Sequence, residues 1–229
     1  MRASDKAYET LRNDIMEGIL STGQLIVEVE QSERIGVSRT PLREAIKRLL
    51  AEGLAEPNPG RRVIVSKVSL AKVHALFELR MGLDCTAAEL AARKGNPAVF
   101  TALADRFARA SVELREGKYN TTEYYALVSE LDSSIDAAAD NQYLLQAQVS
   151  LRNQLTRIRK LSKTNVERLV QAALEHAQIA RAIASENPEL AVAATKLHLH
   201  QALMAIENAA NQEGHELFDP QDSSRLQAA

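Results

Sequence analysis

The feature that most constrains the fold is a long run of helical patterns between residues 69 and 211. Apolar residues recur there at the three- and four-residue spacing of amphipathic helices, and no strand pattern interrupts them. Short turn signals separate the helices: Gly95-Asn96-Pro97, Gly117, Asp140-Asn141 and Asn187-Pro188. The predicted helices span 69–94, 97–117, 121–139, 141–162, 166–185 and 188–211. Connections this short predict an antiparallel all-α bundle of about six helices.

The composition suits such a bundle and places limits on where the protein works. Aromatic residues make up 4% and Trp is absent, so the core must be built from Leu, Ile, Val and Ala. The single Cys85 excludes an intrachain disulfide framework and fits a reducing cytosol. No apolar run approaches the ~18–20 residues of a membrane span, and the N-terminus lacks the apolar stretch of a signal peptide. We expect a cytoplasmic protein that has no membrane partner.

The first 66 residues carry a different pattern, which predicts three short helices and a hairpin. Tyr8, Leu11, Ile15 and Ile19 mark the first helix, Leu25 to Ile35 the second, and a helix-start signal at Ser38 to Pro41 begins the third, which stops at Gly53. Leu54–Glu56 and Arg62–Val65 are predicted strands on either side of the turn Pro57-Asn58-Pro59-Gly60. This order of elements is that of a winged helix-turn-helix.

The predicted fold is therefore mainly α, with two domains and a tail. Residues 1–68 form the winged helix-turn-helix, residues 69–211 form the helical domain, and residues 212–229 form a polar, disordered tail. The linker near Ser66-Lys67-Val68-Ser69 is the predicted transmitter between the two domains.

The third helix has one basic face and one apolar face. Arg39, Arg43 and Lys47 are four residues apart and share one face, while Leu42, Ala45, Ile46, Leu49 and Leu50 occupy the other. A basic face is usually just solvated, but this one ends a three-helix unit and precedes a basic hairpin tip at Gly60, Arg61 and Arg62. That context favours a helix that lies in the major groove of DNA, with Ser38 and Thr40 on phosphates. The net charge of −2 argues only weakly against this, because local clustering decides.

The same stretch carries an extended motif. Its residues are Gly36-Val37-Ser38-Arg39-Thr40-Pro41-Leu42-Arg43-Glu44-Ala45-Ile46, Arg48-Leu49, Glu52-Gly53-Leu54 and Pro59-Gly60-Arg61-Arg62. This motif resembles the DNA-binding domain of the GntR family. The resemblance implies a transcription regulator that binds a palindromic double-stranded DNA operator as a homodimer. One departure is Gln31-Ser32, which stands where the family usually carries Leu-Ala.

The helical region carries a second motif, with Glu175-His176-Ala177-Gln178-Ile179, Ala182-Ile183 and His198 preceded by Leu131, Ile135, Ala138, Ala139, Asn141 and Leu144. It resembles the FCD effector domain of the FadR subfamily. The resemblance implies a pocket for a small carboxylic acid, lined by Arg80, Asp132, His176 and His198. Arg80 is the predicted carboxylate anchor, because its fork matches the two oxygens of that group. An ion pair with Asp84, one turn on, is the alternative.

The family's metal site has changed here. The resemblance places an Asp and a His of that site at Val128 and Asp132, whereas His176 and His198 are retained. Asp132, His176 and His198 are therefore the candidate ligands for a divalent metal such as Zn, Ni or Mn. The alternative is a lost metal site, in which these residues form hydrogen-bonded pairs that line the cavity.

Three functions remain open on this basis. The leading one is an effector-responsive DNA-binding regulator, expected to be a repressor. A second is a DNA-binding regulator whose helical domain no longer senses anything. A third is a metal-dependent enzyme that uses Asp132, His176 and His198, against which stands the lack of a separate general base or nucleophile motif; we expect no enzyme.

Overall fold

The computed structural model of the chain describes residues 1–60, 62–67, 69–159 and 165–213. The described helices and strands, in chain order, are α1 Ala3–Glu17, α2 Glu28–Ile35, α3 Arg39–Ala51, β1 Ala55–Asn58, β2 Arg62–Val65, α4 Leu70–Lys94, α5 Pro97–Arg115, α6 Thr121–Ala139, α7 Gln142–Arg159, α8 Val166–Ala184 and α9 Pro188–Glu213. The mainly helical class and the three-helix-plus-hairpin order are both confirmed. The predicted tail beyond residue 213 lies outside the described residues.

The described chain divides into two compact units. One comprises Met1–Lys72 together with Ser150–Ile158 of α7, and the other comprises Val73–Val149 and Arg159–Gln212. The first unit contains α1 to α3 and the hairpin, and the second contains most of the helical bundle. Nothing in the sequence indicated that Ser150–Ile158 would group with the N-terminal unit, because the pattern predicted a single helix within the helical domain.

The N-terminal unit is built around α1 and α3, which pack against each other. Its core contains Leu11 of α1, Leu42 and Leu49 of α3, and Leu54 and Val65 beside the hairpin, all fully buried. Helix α1 ends at Glu17, so Ile19 lies beyond it and is exposed rather than part of the apolar face. The core holds α3 by one side and leaves its opposite face to solvent.

The hairpin differs from its prediction in two ways. Strand β1 runs from Ala55 to Asn58, so Pro57 lies within the strand and pairs with Val63 rather than forming the turn. Proline is tolerated there because an edge strand need not donate every backbone hydrogen bond. The chain before α2 also joins the sheet, through an isolated antiparallel bridge between Leu25 and Ile64. The second helix consequently begins at Glu28, three residues later than predicted.

The departure at Gln31 and Ser32 is accommodated without unsatisfied polar groups. Both side chains are buried in the N-terminal unit. Arg34 Nε donates to Gln31 Oε1 at 2.9 Å, and Ser32 Oγ donates to the Val29 carbonyl at 2.8 Å. Arg34 also pairs with the buried Asp14 carboxylate. Hydrogen bonds thus replace the apolar contacts that Leu and Ala would make.

The helical unit is held by a core of aliphatic residues and a few aromatic rings. Helix α5 packs along α8 and also contacts α6. The largest buried side chains of this core are Phe100, Phe107, Tyr124, Leu131 and Ile183. Asparagine caps start five of the described helices, where an Asn side chain accepts a backbone N–H of the first turn: Asn96, Asn120, Asn141, Asn165 and Asn187. These caps explain why the predicted helix starts were nearly correct.

Candidate nucleic-acid interface and effector site

The exposed face of α3 carries the residues predicted to contact DNA. Helix α3 begins at Arg39, with Ser38 in the extended conformation of an N-cap. Arg39, Thr40, Arg43 and Lys47 are exposed, whereas Leu42, Ala45, Ile46 and Leu49 are buried. Ser38 is exposed too, and its side chain makes no capping hydrogen bond within the described residues. The first turn of α3 therefore presents hydroxyls, backbone N–H groups and cations to solvent together, which is the chemistry that binds phosphates and base edges.

Two arginines of α3 differ in how firmly they are held. Arg43 Nε lies 2.8 Å from Glu28 Oε2 at the start of α2, and both side chains are largely exposed. Such a surface pair contributes little free energy, so Arg43 can exchange Glu28 for a phosphate or a base. Arg48 instead bonds to Asp5 and lies 3.7 Å above the centre of the Tyr8 ring. These two contacts hold the exposed Arg48 side chain against α1 of the same unit.

The hairpin tip lies at the end of β1 and the start of β2. Gly60 is exposed and has a φ of 82°, a left-handed conformation that glycine adopts without strain. Arg62 is exposed and faces Asn58 across the hairpin. Arg61, predicted to contact DNA, lies outside the described residues.

His176 and His198, from α8 and α9, come together in the bundle. Their ring centroids are 4.4 Å apart, and both residues are buried. His176 Nδ1 shares a hydrogen bond of 3.1 Å with the hydroxyl of Tyr124, and its ring packs 5.0 Å from that of Phe107. The aromatic wall and the hydroxyl fix the orientation of the His176 ring.

Glu175 joins this histidine pair to an arginine. Its Oε2 atom accepts a hydrogen bond of 2.7 Å from His198 Nδ1. Arg168 holds the same carboxylate with two nitrogens, at 2.7 and 2.9 Å. Burial alone would raise the pKa of Glu175, but the hydrogen bonds from His198 and Arg168 outweigh it and hold the pKa below its usual range. Burial lowers the pKa of His198 despite the Glu175 charge, so His198 is held neutral.

Arg80 forms the ion pair that the sequence left as the alternative to a carboxylate anchor. Its Nε and one terminal nitrogen each lie 3.0 Å from Asp84 Oδ2, one turn along α4. Asp84 Oδ1 accepts a hydrogen bond of 3.1 Å from Gln148 Nε2 on α7. Arg80 is buried, and its charge is one of the causes that lower the pKa of His198.

The metal set of Asp132, His176 and His198 stays a prediction. Among residues that the structure describes, no three His, Cys, Asp or Glu side chains are arranged to hold a metal ion, and Asp132, His176 and His198 are all described. Val128, at a family ligand position, is buried and apolar. The Nδ1 atoms of the two histidines bond instead to Tyr124 and Glu175. Hydrogen bonds of this kind are what the alternative to a metal site predicted for the two histidines.

The sequence assigned no role to Arg168, Tyr124 or Gln148, and it pointed to Glu175 only as part of the FCD-like motif. Arg168 and Glu175 are seven residues apart and share a face of α8, which is a spacing that the sequence displays. Tyr124 and Gln148 had no comparable signal, because their partners lie on other helices. The Arg168–Glu175 pair also lines a groove of about 440 Å³ between α8 and α9.

Comparison with known proteins decides the family. Residues 3–65 match the family described as bacterial regulatory proteins of the gntR family, and residues 75–201 match the FCD domain. The chain belongs to the GntR family of bacterial transcription regulators, in the group with an FCD domain. It is therefore a DNA-binding regulator of transcription, and the resemblance found in the sequence is confirmed.

Individual relatives agree with this assignment. The HTH-type transcriptional repressor RspR of Escherichia coli K12 is 24% identical over 198 residues, which cover 86% of each chain. The fold is similar to that of E. coli McbR/YncC, with a TM-score of 0.71 and 15% identity over 91% of this chain and 98% of that one. Lar of Listeria monocytogenes follows with a TM-score of 0.57 and 19% identity over 91% and 98%. No helix in the described ranges is long and apolar enough to span a bilayer.

Proposed function

We propose that this GntR-family chain is a homodimeric repressor whose affinity for a palindromic operator responds to a small organic acid bound in its helical unit. The exposed basic face of α3 carries the DNA half of this proposal. Each copy of α3 reads one half-site from the major groove, with Arg39, Arg43 and Lys47 toward the DNA and the hairpin tip on the neighbouring backbone. The relative RspR is named a repressor, which supports the sign of regulation.

The cluster of Arg80, His176, His198 and Glu175 carries the sensing half. It gathers polar and charged groups inside an otherwise apolar bundle, which is typical of a small-molecule site. Asp132, partly buried on α6, completes the predicted lining. An effector changes operator affinity only by the difference in its own affinity for the two arrangements of the dimer.

The DNA half is tested by selection of bound fragments from a random double-stranded library by the purified full-length chain. We expect an enriched sequence with two inverted half-sites whose centres are about one helical turn apart or a multiple of it. Sequencing that yields no enriched motif, or a motif without inverted symmetry, contradicts the proposal of a dimer on a palindromic operator.

The sensing half is tested by thermal unfolding of the same chain against a panel of carboxylic and sugar acids. A ligand of the native state raises the unfolding midpoint by mass action and should change operator affinity as well. A panel that changes neither points to a helical unit that does not sense. Each acid is run with and without Zn²⁺, Ni²⁺ or Mn²⁺. Because no group of three metal-ligating side chains is found in the described residues, we expect the metals alone to leave the midpoint unchanged.

A further inference from the structure

Gln148 is a buried polar residue of α7 with one half of its amide unused. Only 6% of the residue is exposed. Its Nε2 atom donates to Asp84 Oδ1 at 3.1 Å. Its Oε1 atom is buried and has no hydrogen-bond partner among the described residues. A buried acceptor without a donor is unfavourable, so its presence needs an explanation.

The unused atom is the oxygen and not the nitrogen of the amide. An amide turned by half a rotation would place Oε1 against the Asp84 carboxylate, where two acceptors repel each other. The bond to Asp84 therefore fixes the orientation. Asp84 is in turn held by Arg80, so the acceptor belongs to a connected set of side chains on α4 and α7.

The charges of this region are already balanced. Asp84 neutralises Arg80, and Glu175 neutralises Arg168. His198 adds no positive charge, because burial lowers its pKa. Among the described side chains of this region, Gln148 Oε1 is thus available to accept a hydrogen bond from a ligand. Arg80 and Arg168 each already have a carboxylate partner. A hydroxyl group of the ligand satisfies that acceptor without placing a further charge beside the Arg80–Asp84 pair.

We infer that Gln148 determines the specificity of the effector site: its Oε1 atom accepts a hydrogen bond from a hydroxyl group of the effector. This inference rests on the sensing function proposed above and adds a requirement to it. The shared chemistry is the hydroxyl, which either a hydroxy acid or a neutral polyol supplies. An acid without a hydroxyl leaves the buried acceptor unpaired and binds less tightly.

The test is calorimetric titration of the full-length chain with matched probes. Lactate is compared with propionate and 3-hydroxybutyrate with butyrate, while glycerol and xylitol serve as neutral hydroxylated probes. The variants are Gln148→Met, which removes the acceptor at similar length, and Gln146→Met, which makes the same change at an exposed position of α7. Operator binding and circular dichroism report whether each variant folds.

We expect the wild-type chain to bind at least one hydroxylated acid about tenfold or more tightly than its partner without the hydroxyl. This ratio should fall toward one in Gln148→Met and persist in Gln146→Met. Tight binding of the neutral polyols identifies them as the source of the hydroxyl, and weak binding identifies the hydroxy acids.

Two results overturn the inference while the sensing function stands: equal binding of both members of every pair by the wild type, which needs no variant, or an unchanged ratio in Gln148→Met. In either case a buried water and not the effector satisfies Oε1. If no probe and no member of the wider acid panel binds the wild type, the sensing function itself fails, and this inference fails with it.

Discussion

His198 Nδ1 lies 2.7 Å from Glu175 Oε2, so that two consecutive helices, α8 and α9, are joined inside the bundle by a histidine and a carboxylate. An ionised carboxylate can only accept, and therefore Nδ1 carries the proton of the imidazole. Arg168 holds the other side of the same carboxylate. This arrangement fixes the orientation of the His198 ring beside His176.

The neutral state of His198 predicts a stability that falls in mild acid. Burial lowers the pKa of His198. The charges of Arg80 and Arg168 lower it further, whereas Glu175 acts to raise it. Because the unfolded chain takes up a proton near the ordinary value of 6.5 and the folded chain does not, stability declines as the pH falls below that value. The lowered pKa of Glu175 adds a second decline below its ordinary 4.5, as the carboxylate is protonated.

Urea unfolding between pH 7.5 and 5.5 measures this effect. We expect a smaller decline in His198→Gln than in the wild type. The matched control is His74→Gln, since His74 makes a more exposed pair with Glu207 at 3.0 Å. A decline of equal size in wild type and His198→Gln would show that another group is responsible.

The hydrogen bond between the Tyr8 hydroxyl and the Glu52 carboxylate is expected to stabilise the N-terminal unit. The hydroxyl donates to Glu52 Oε2 at 2.7 Å and lies 3.0 Å from Oε1. Loss of this charge-assisted bond in Tyr8→Phe should lower the free energy of unfolding by about 1–2 kcal/mol. The control is Tyr143→Phe on the exposed surface of α7, which we expect to change stability by less than about 0.5 kcal/mol.

The same tyrosine predicts a loss of stability in alkali. Burial first, and then the hydrogen bond and charge of Glu52, raise the pKa of Tyr8 from 10.0 to about 12. The unfolded chain therefore loses this proton at a lower pH than the folded chain, and stability falls as the pH rises from 10 toward 12. Tyr8→Phe should show a shallower fall; an identical slope in both proteins argues against the raised pKa.

Gly53, just after the end of α3, lies too close to another side chain to accept a Cβ atom without a shift. Its φ of 69° suits glycine, and a Cβ there would lie 2.9 Å from Gln154 Nε2, which donates to the Glu52 carbonyl at 3.3 Å. Gly53→Ala should therefore cost slightly more than the ~1–2 kcal/mol of a left-handed alanine, because the flexible Gln154 amide must move and give up its bond to the Glu52 carbonyl. Gly60→Ala is the control: it measures the cost of the left-handed backbone alone, because nothing lies within 4 Å of its Cβ position. Equal thermal shifts for both variants would contradict the contact.

The sequence predicted local structure better than it predicted the site. Helix starts at Pro97 and Thr121 follow Asn side chains that cap them, and this signal is local. The Arg80–Asp84 pair was foreseen for the same reason, since residues four apart on a helix are neighbours. The bond between Glu175 and His198 depends on how α8 and α9 rotate against each other, which no local pattern encodes. Gln148 was missed because its partner lies on another helix.

We expect the exposed basic face of α3 to read the operator. Fluorescence anisotropy at fixed salt, on an operator obtained by selection, compares the wild type with the Arg39→Ala, Arg43→Ala double variant and with Arg93→Ala, a surface arginine of α4 paired with Glu89. Each arginine–base contact is worth ~1–3 kcal/mol, so we expect the double variant to bind at least about thirtyfold more weakly and Arg93→Ala to bind like the wild type. Wild-type affinity in the double variant would contradict the assignment of α3 as the reading helix.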